Sequence, residues 1–528
     1  MYRKNNSVNK PKILIITPEI TYLPHGMDHD NYISAKAGGL ADVSASLVSS
    51  LYNMGADVHV ALPYYRQLFH MNMPDHFEKK RQAYSSHLSE ERIHFAQDRV
   101  FFYRDKVYSG YACESMKISL AFQREVINNI IPSIQPDLIH CNDWMTGLIP
   151  SFARRMKIPS LFTVHNIHTQ KTTIGEVENA GIDIEQFWKN LYFERTPYNY
   201  EESRYSCNPV DMLTSGIFAS HFINTVSPTF LHEIVAGQHG FVPNYIKNEI
   251  TNKFNAGCAR GILNAPDPDE NPATDPALTA HYTSQTHAKL KQENKIALQK
   301  KLGLNVNPNT PMFFWPSRLD PIQKGPQLLA EILYDFIHTY WDQQPQFVFI
   351  ANGDYQSVFK NICAYHDFQH QIAVVDFDNQ LSHLAYGASD FILMPSRFEP
   401  CGLPQMVGPI YGSLPIVHDT GGLHDTIQHL NSEKNTGDGF VFKFYDSTGL
   451  RWAMDQAMLF YRLPSHVKNA QITRIMDYAL ATFNHANTAD EYIHIYEKML
   501  QRPLVTWEEE EKNGAKKSSA SKAENQTH

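Results

Sequence analysis

The stretch Phe391-Ile392-Leu393-Met394-Pro395-Ser396-Arg397-Phe398-Glu399-Pro400-Cys401-Gly402-Leu403-Pro404-Gln405 decides how the chain is built. Its four leading apolar residues are too few for a helix, and Pro395 stops them, so Phe391–Met394 reads as a buried strand. Pro404 lacks an N–H and fits the first turn of a helix, so a helix starts there. Strand, short loop and helix make half of a βαβ unit. In such units ligands bind outside the carboxyl ends of the parallel strands, which is where this spacing puts Glu399.

The same rhythm extends in both directions. Lys12–Thr17, Asp57–Leu62, Asp137–Cys141, Ser160–Val164 and Phe222–Thr225 read as buried strands, with helical stretches such as Leu40–Met54 and Met145–Met156 between them. The pattern restarts with strands Met312–Trp315, Phe347–Ala351, Gln371–Val375, Phe391–Met394 and Leu414–Val417 and helices Pro326–Tyr340, Ser357–His366 and Leu381–Tyr386. Alternation of this kind implies parallel sheets covered on both faces. The fold class is therefore α/β, with two doubly wound Rossmann-like domains facing across a cleft.

The expected organisation is an N-terminal arm 1–11, a first domain 12–263, a linker 264–288, a second domain 289–465, a helical segment 466–504 and a disordered tail 505–528. Pro266, Pro268, Pro272 and Pro276 mark the linker, and the tail is too polar to bury a core.

A length of 528 residues suits two to four domains, and 42% hydrophobic with 19% charged residues is a globular composition. Its 46 basic and 55 acidic residues give a net charge of −9, which argues against a general binder of nucleic acid or anionic membrane. Six cysteines without a CxxC pair indicate neither a disulfide framework nor a zinc ribbon, and fit a reducing compartment. The apolar run Ile13–Ile16 is too short for a signal core or a membrane span, so a cytoplasmic location is expected.

Gly38-Gly39-Leu40-Ala41-Asp42 recurs as Gly421-Gly422-Leu423-His424-Asp425. Two glycine turns opening helices either close two tight corners or offer free N–H groups that grip a diphosphate from both sides. Arg318 and Lys324 follow the strand Met312–Trp315 and suit neutralisation of a leaving diphosphate. Lys36 precedes the first glycine turn, and His165-Asn166 follows Ser160–Val164. Cys401 has no histidine paired with it in sequence and reads as a small packing residue. Two metal-like motifs, Asp267–Glu270 and the His366/His370 pair, lack the context of a metal site, and no metal is expected.

Taken in order, Lys36–Val43, His140–Gly147, Phe162–Asn166, Asn224–Pro228, Gly261–Asn264, Ser317–Gly325, Pro395–Gln405, Leu414–Thr426 and Gly439–Phe442 resemble the bacterial glycogen and plant starch synthases. That resemblance implies the glycosyltransferase B fold and retaining transfer of glucose from a nucleoside-diphosphate glucose, ADP-glucose being expected, to an α-1,4-glucan. It implies no cofactor beyond the nucleotide sugar. Glu399, Arg318, Lys324 and His165 would be catalytic. Lys36, Gly38, Gly39, Asp143, Asn166, Cys401, Gly402, Leu403, Thr420, Gly421 and Gly422 would bind substrate, with Asp143 near the acceptor path.

The sequence departs from that pattern at several points. Ala37 stands for Thr, Thr169 and Lys171 for Tyr and Gly, Thr214 for Lys, and Ala265-Pro266 for Gly-Ile or Gly-Val. Glu270 takes the place of a Trp, and one extra residue falls in Asp320-Pro321-Ile322 between Arg318 and Lys324. These changes keep two rival readings open: a related transferase with another acceptor, and a glucan-binding or regulatory protein with impaired catalysis. Nothing in the sequence fixes the oligomeric state.

Overall fold

The computed structural model describes residues 10–24, 27, 33–71, 92–205 and 208–504. The strands, in chain order, are β1 (Lys12–Ile16), β2 (Asp57–Pro63), β3 (Ile93–Ala96), β4 (Leu138–Asn142), β5 (Ser160–Val164), β6 (Lys171–Thr172), β7 (Val210–Asp211), β8 (Phe222–Thr225) and β9 (Ala259–Gly261). They continue with β10 (Met312–Trp315), β11 (Gln346–Ile350), β12 (Ile372–Val375), β13 (Phe391–Met394), β14 (Leu414–His418) and β15 (Phe440–Phe442). One sheet runs β3-β2-β1-β4-β5-β8-β9 and another β12-β11-β10-β13-β14-β15, while β6 and β7 form a small antiparallel pair. All five neighbours in the second large sheet pair in parallel, as do β3–β2–β1–β4–β5 in the first.

Each large sheet thus contains the doubly wound order 3-2-1-4-5, and the strand order reverses beside its first strand. Ligands in such sheets bind where the order reverses, outside the carboxyl ends of the strands. That point lies after β1 and β4 in one sheet and after β10 and β13 in the other. Alternation along the strands builds the core. Phe313 and Trp315 pack with Phe347, Phe349, Phe391 and Leu393 on one face, while Met312 and Phe314 pack with Val348, Ile350, Ile392 and Met394 on the other.

The chain divides into two compact units. The first comprises 1–224, 255–258 and 489–528, and the second 225–254 and 259–488. This division departs from the expected 12–263 and 289–465, and the segment 264–288 lies within the second unit. It is packed there rather than strung as a linker. The buried Asp275 carboxylate accepts from Tyr411 Oη (2.5 Å) and His383 Nδ1 (2.8 Å), and Tyr282 Oη donates to Tyr411 O (2.8 Å).

The helical segment 466–504 is two helices, Ser465–Thr482 and His485–Leu500, and from Ala489 onward the chain is back in the first unit. A directional hydrogen-bond chain seats that last helix. Tyr496 Oη donates to His140 Nδ1 (2.7 Å), His140 Nε2 to Thr163 Oγ1 (2.6 Å), Thr163 to Asn224 Oδ1 (2.6 Å), and Asn224 Nδ2 to Tyr492 Oη (3.0 Å).

Met145–Met156 also divides, into a 3-10 turn Trp144–Thr146 and a helix Ile149–Arg155. Gly147 sits between them, so close to the chain that an added Cβ would lie 1.9 Å from Met212 O. The expected arm at 1–11 falls mostly outside the described residues and the tail at 505–528 wholly so. No described helix is long and apolar enough to cross a membrane.

Candidate active site

In the first unit the chain leaves β1 and reaches Glu19, a residue to which the sequence motifs drew no attention. Its buried carboxylate accepts from the N–H groups of Ala37 (2.6 Å) and Gly38 (3.0 Å), and from Tyr108 Oη (3.0 Å). The first glycine turn is therefore closed on an internal carboxyl group, which takes the N–H of Gly38 and favours the tight-corner reading over a free phosphate cradle. Gly38 itself is not crowded, because a Cβ added there would meet nothing within 4 Å. Gly39 opens the helix Gly39–Asn53, and Lys36 is half-exposed and pairs with Asp42 at 2.9 Å.

Asp143 follows β4 in a left-handed backbone (φ 54°) that non-glycine residues adopt only at a cost. Its buried carboxylate accepts from His165 N–H (2.8 Å) and Asn166 Nδ2 (3.3 Å), which brings three of the expected residues into one cluster. The Asp143 pKa is raised to about 7, chiefly by burial with a smaller push from Glu19, against the lowering bonds from His165 and Asn166. His165 is pushed down to about 3 by burial, so its imidazole is neutral at physiological pH. Asn142 Nδ2 donates to Ile16 O, which leaves its Oδ1 to accept from His165 Nε2–H at 2.9 Å. That tautomer keeps the Nδ1 lone pair of His165 available to a sugar hydroxyl.

Two departures from the synthase pattern meet in the structure. Thr169 Oγ1 and Thr214 Oγ1 both donate to Asp211 Oδ1, at 3.0 and 2.6 Å. The threonine that stands for the usual lysine and the one that stands for the usual tyrosine thus share one carboxylate.

In the second unit the residues after β10 and β13 converge. Lys324 Nζ lies 2.5 Å from Glu399 Oε2, which also accepts from Ser396 Oγ at 3.1 Å; Glu399 is buried and Lys324 mostly so. Arg318 is exposed, and no described residue pairs with its guanidinium.

The extra residue between Arg318 and Lys324 is taken up by a turn. Asp320 Oδ1 accepts from Ile322 N–H (2.9 Å), Asp320 O accepts from Lys324 N–H (2.8 Å), and Ile322 is turned outward, 72% exposed. The segment past the turn is fixed, since Arg397 N–H donates to Gln323 O (2.7 Å) and a Cβ at Gly325 would lie 2.2 Å from Pro395 O. The insertion therefore leaves Lys324 on Glu399.

Cys401 is buried against Val226 and Met406, and burial raises its pKa to about 12, so it is a neutral packing thiol and not a nucleophile. Gly402 takes the left-handed conformation (φ 74°), and Gln405 Nε2 ties down Cys401 O (2.9 Å) and Gly402 O (3.1 Å). Leu403 precedes the helix Pro404–Ile410.

Thr420, Gly421 and Gly422 form the second glycine turn, and it too is closed on a carboxylate. Glu233 Oε1 accepts from Gly421 N–H (3.0 Å) and Thr420 Oγ1 (3.1 Å), while Gly422 N–H donates to Glu399 O (2.9 Å). A cavity of about 490 Å³ opens beside this turn, and Glu233, His239, Phe241, Arg397, Phe398 and His418 help line it. Among the described residues no group of three or more His, Cys, Asp or Glu side chains is placed to hold a metal. The Asp267–Glu270 motif is a turn closed by Asp269 N–H on Asp267 Oδ1 (2.9 Å), and His366 stacks on Phe368 and tilts against Tyr334.

The family described as starch synthase catalytic domain matches residues 12–245, and that of glycosyl transferases group 1 matches 298–473. The glycogen synthase of Exiguobacterium sibiricum is 33% identical over 489 residues, covering 87% of this chain and 95% of that protein. That of Thermotoga maritima is 33% identical over 497 residues, covering 89% and 97%. Among solved structures, the catalytic domain of Starch Synthase IV from Arabidopsis thaliana bound to ADP and acarbose aligns with a TM-score of 0.73 at 25% identity. It covers 94% of this chain and 100% of that one. Sucrose-phosphate synthase from Thermosynechococcus elongatus shares the fold at 16% identity and a TM-score of 0.54, covering 93% and 100%.

Proposed function

The chain belongs to the glycogen and starch synthase family of glycosyltransferases, and we propose how its residues carry the reaction. It extends an α-1,4-glucan from a nucleoside-diphosphate glucose with retention of configuration, ADP-glucose being the donor of choice. The Arabidopsis structure, which holds ADP and acarbose, supports a nucleotide donor and a glucan-like acceptor.

The observation that carries the mechanism is the buried Lys324–Glu399 pair, 2.5 Å apart after β10 and β13, with the unpaired Arg318 on the same loop. The bond from the anomeric carbon to the diphosphate oxygen breaks, and its electron pair leaves on the diphosphate. Arg318 and Lys324 receive that charge as it develops, where preorganised cations lower the barrier most. The acceptor O4 attacks from the same face, and its proton passes to the departing diphosphate oxygen.

Glu399 stands against the glucosyl unit, and its pairing with Lys324 keeps both side chains in place before the donor arrives. Neutral His165 accepts a hydrogen bond from a sugar hydroxyl, while Asp143 and Asn166 hold its loop. Lys36, Gly38 and Gly39 are the first unit's substrate-binding residues, and in the second unit Gly402, Leu403 and the Thr420–Gly422 turn surround sugar and phosphate. The nucleotide sugar is a co-substrate, and the charge chemistry calls for no other cofactor. A cytoplasmic setting belongs to the same reading.

The test is incorporation of labelled glucose into glycogen from ADP-glucose and from UDP-glucose. Incorporation that is higher from ADP-glucose and lost in Glu399→Ala supports the reading. No incorporation from either donor by folded protein overturns it and returns attention to the Asp211–Thr169–Thr214 side.

A further inference from the structure

Glu233 lies on the helix Pro228–Ala236, 188 residues before Gly421, yet its side chain is 10% exposed and fully engaged. One carboxylate oxygen takes the Gly421 N–H at 3.0 Å and the Thr420 hydroxyl at 3.1 Å; the other takes His239 Nε2 at 2.9 Å. Burial would raise its pKa, but the bonds from His239, Gly421 and Thr420 outweigh that and hold it below the ordinary carboxylate value. It is therefore an anion placed at the first N–H of the helix Gly421–Thr426.

The favour is returned. Asp425, from that second helix, accepts from Thr229 N–H (3.0 Å), Thr229 Oγ1 (2.6 Å) and Ser227 Oγ (2.5 Å) at the start of the helix Pro228–Ala236. Each helix thus has its N-terminus closed by a carboxylate from the other, a clamp within the second unit.

What the clamp holds is the turn beneath the catalytic loop. Gly422 N–H donates to Glu399 O at 2.9 Å. A Cβ at Gly421 would lie 2.0 Å from Glu399 O, and one at Gly422 would lie 2.0 Å from Cys401 O. There is no slack between the turn and the backbone of Glu399–Cys401, so a shift of the turn is transmitted to the carboxylate that faces the sugar.

We propose that Glu233 is a positioning residue of the transferase: it fixes the Thr420-Gly421-Gly422 turn and through it the Glu399 loop. This rests on the synthase reading given above. The turn's Gly421 N–H serves the protein's own carboxylate, and the donor meets a loop already set in place.

The test compares Glu233→Ala, Glu233→Gln and, as a control for stability alone, Asp275→Asn in the full chain. Asp275 is a buried carboxylate of the same unit that bonds Tyr411 and His383 and touches no residue of the candidate site. With ADP-glucose and glycogen, Glu233→Ala is expected to lower kcat at least about 10-fold while the KM for ADP-glucose changes less than about 3-fold. A loss confined to kcat marks an interaction used in the transition state. Glu233→Gln, which keeps an oxygen for Gly421 and Thr420, recovers part of kcat. Asp275→Asn lowers the melting temperature with kcat unchanged.

Amide exchange supplies a readout that does not depend on turnover, with faster exchange at Gly421 and Gly422 expected in Glu233→Ala. Unchanged exchange, or faster exchange with unchanged kcat, overturns the proposal. A wild-type chain that transfers no glucose overturns the synthase reading instead, and the exchange result still decides whether Glu233 sets the turn.

Discussion

Lys324 and Glu399 are each the other's compensation. Their side chains are 12% and 6% exposed, so removing one strands a buried charge, at a cost of about 3–5 kcal/mol. Lys324→Ala is therefore expected to lower the unfolding free energy by that amount, and the double variant Lys324→Ala/Glu399→Ala to regain much of it without regaining activity. Denaturant titration of Lys324→Ala, Glu399→Ala and the double variant reads this directly, and additive losses would contradict it. Asp143 gives a pH dependence with a definite sign. Its ordinary value of 3.8 rises to about 7 in the folded chain. Between those values the folded carboxyl holds a proton that the unfolded one has lost, so stability falls as pH rises from about 4 to about 7. Asp143→Asn should remove that slope, measured as the unfolding free energy of wild type against variant across the window. Residues of this kind divide by legibility. Glu399 and Lys324 stood out because they follow apolar runs that can only be strands. Glu19 and Glu233 did not, because a carboxylate that closes a turn 18 or 188 residues away leaves no local pattern.

At the scale of elements, the buried runs gave themselves away and the partly exposed ones did not. Ser160–Val164, Phe222–Thr225, Met312–Trp315 and Phe391–Met394 run as strands over the residues their apolar runs mark. Besides the small β6–β7 pair, three strands of the large sheets escaped notice: β3 (Ile93–Ala96), β9 (Ala259–Gly261) and β15 (Phe440–Phe442). β9 holds no fully buried residue, and β3 and β15 are short and mix buried with half-buried positions, so their pairing comes from neighbouring strands and not from their own composition. The last helix shows what long-range polar contacts add. Tyr496→Phe leaves the buried His140 Nδ1 without its donor, which should cost about 1–3 kcal/mol of stability. A thermal melt in which Tyr496→Phe matches wild type would remove the hydrogen-bond chain from the account of how this helix docks.

At the scale of the whole molecule, the two α/β sheets were foreseeable because one rhythm of strand and helix repeats along the chain. The path between units was not. The chain leaves the first unit after Asn224, returns briefly at 255–258 and again at Ala489. Proline-rich 264–288 looked like a natural boundary, yet Asp275 and Tyr282 bind it into the second unit through partners more than 100 residues away. The function rests on what the two strand ends after β10 and β13 bring together, and it is α-1,4 glucosyl transfer with retention. The most direct test incubates the full chain with glycogen and ADP-glucose labelled in its glucose, then digests the polymer with β-amylase, which frees maltose from α-1,4-linked non-reducing ends. Label recovered as maltose, and absent when Glu399→Ala replaces wild type, is the predicted result. Label that resists the digest, or none incorporated by a folded chain, would contradict it.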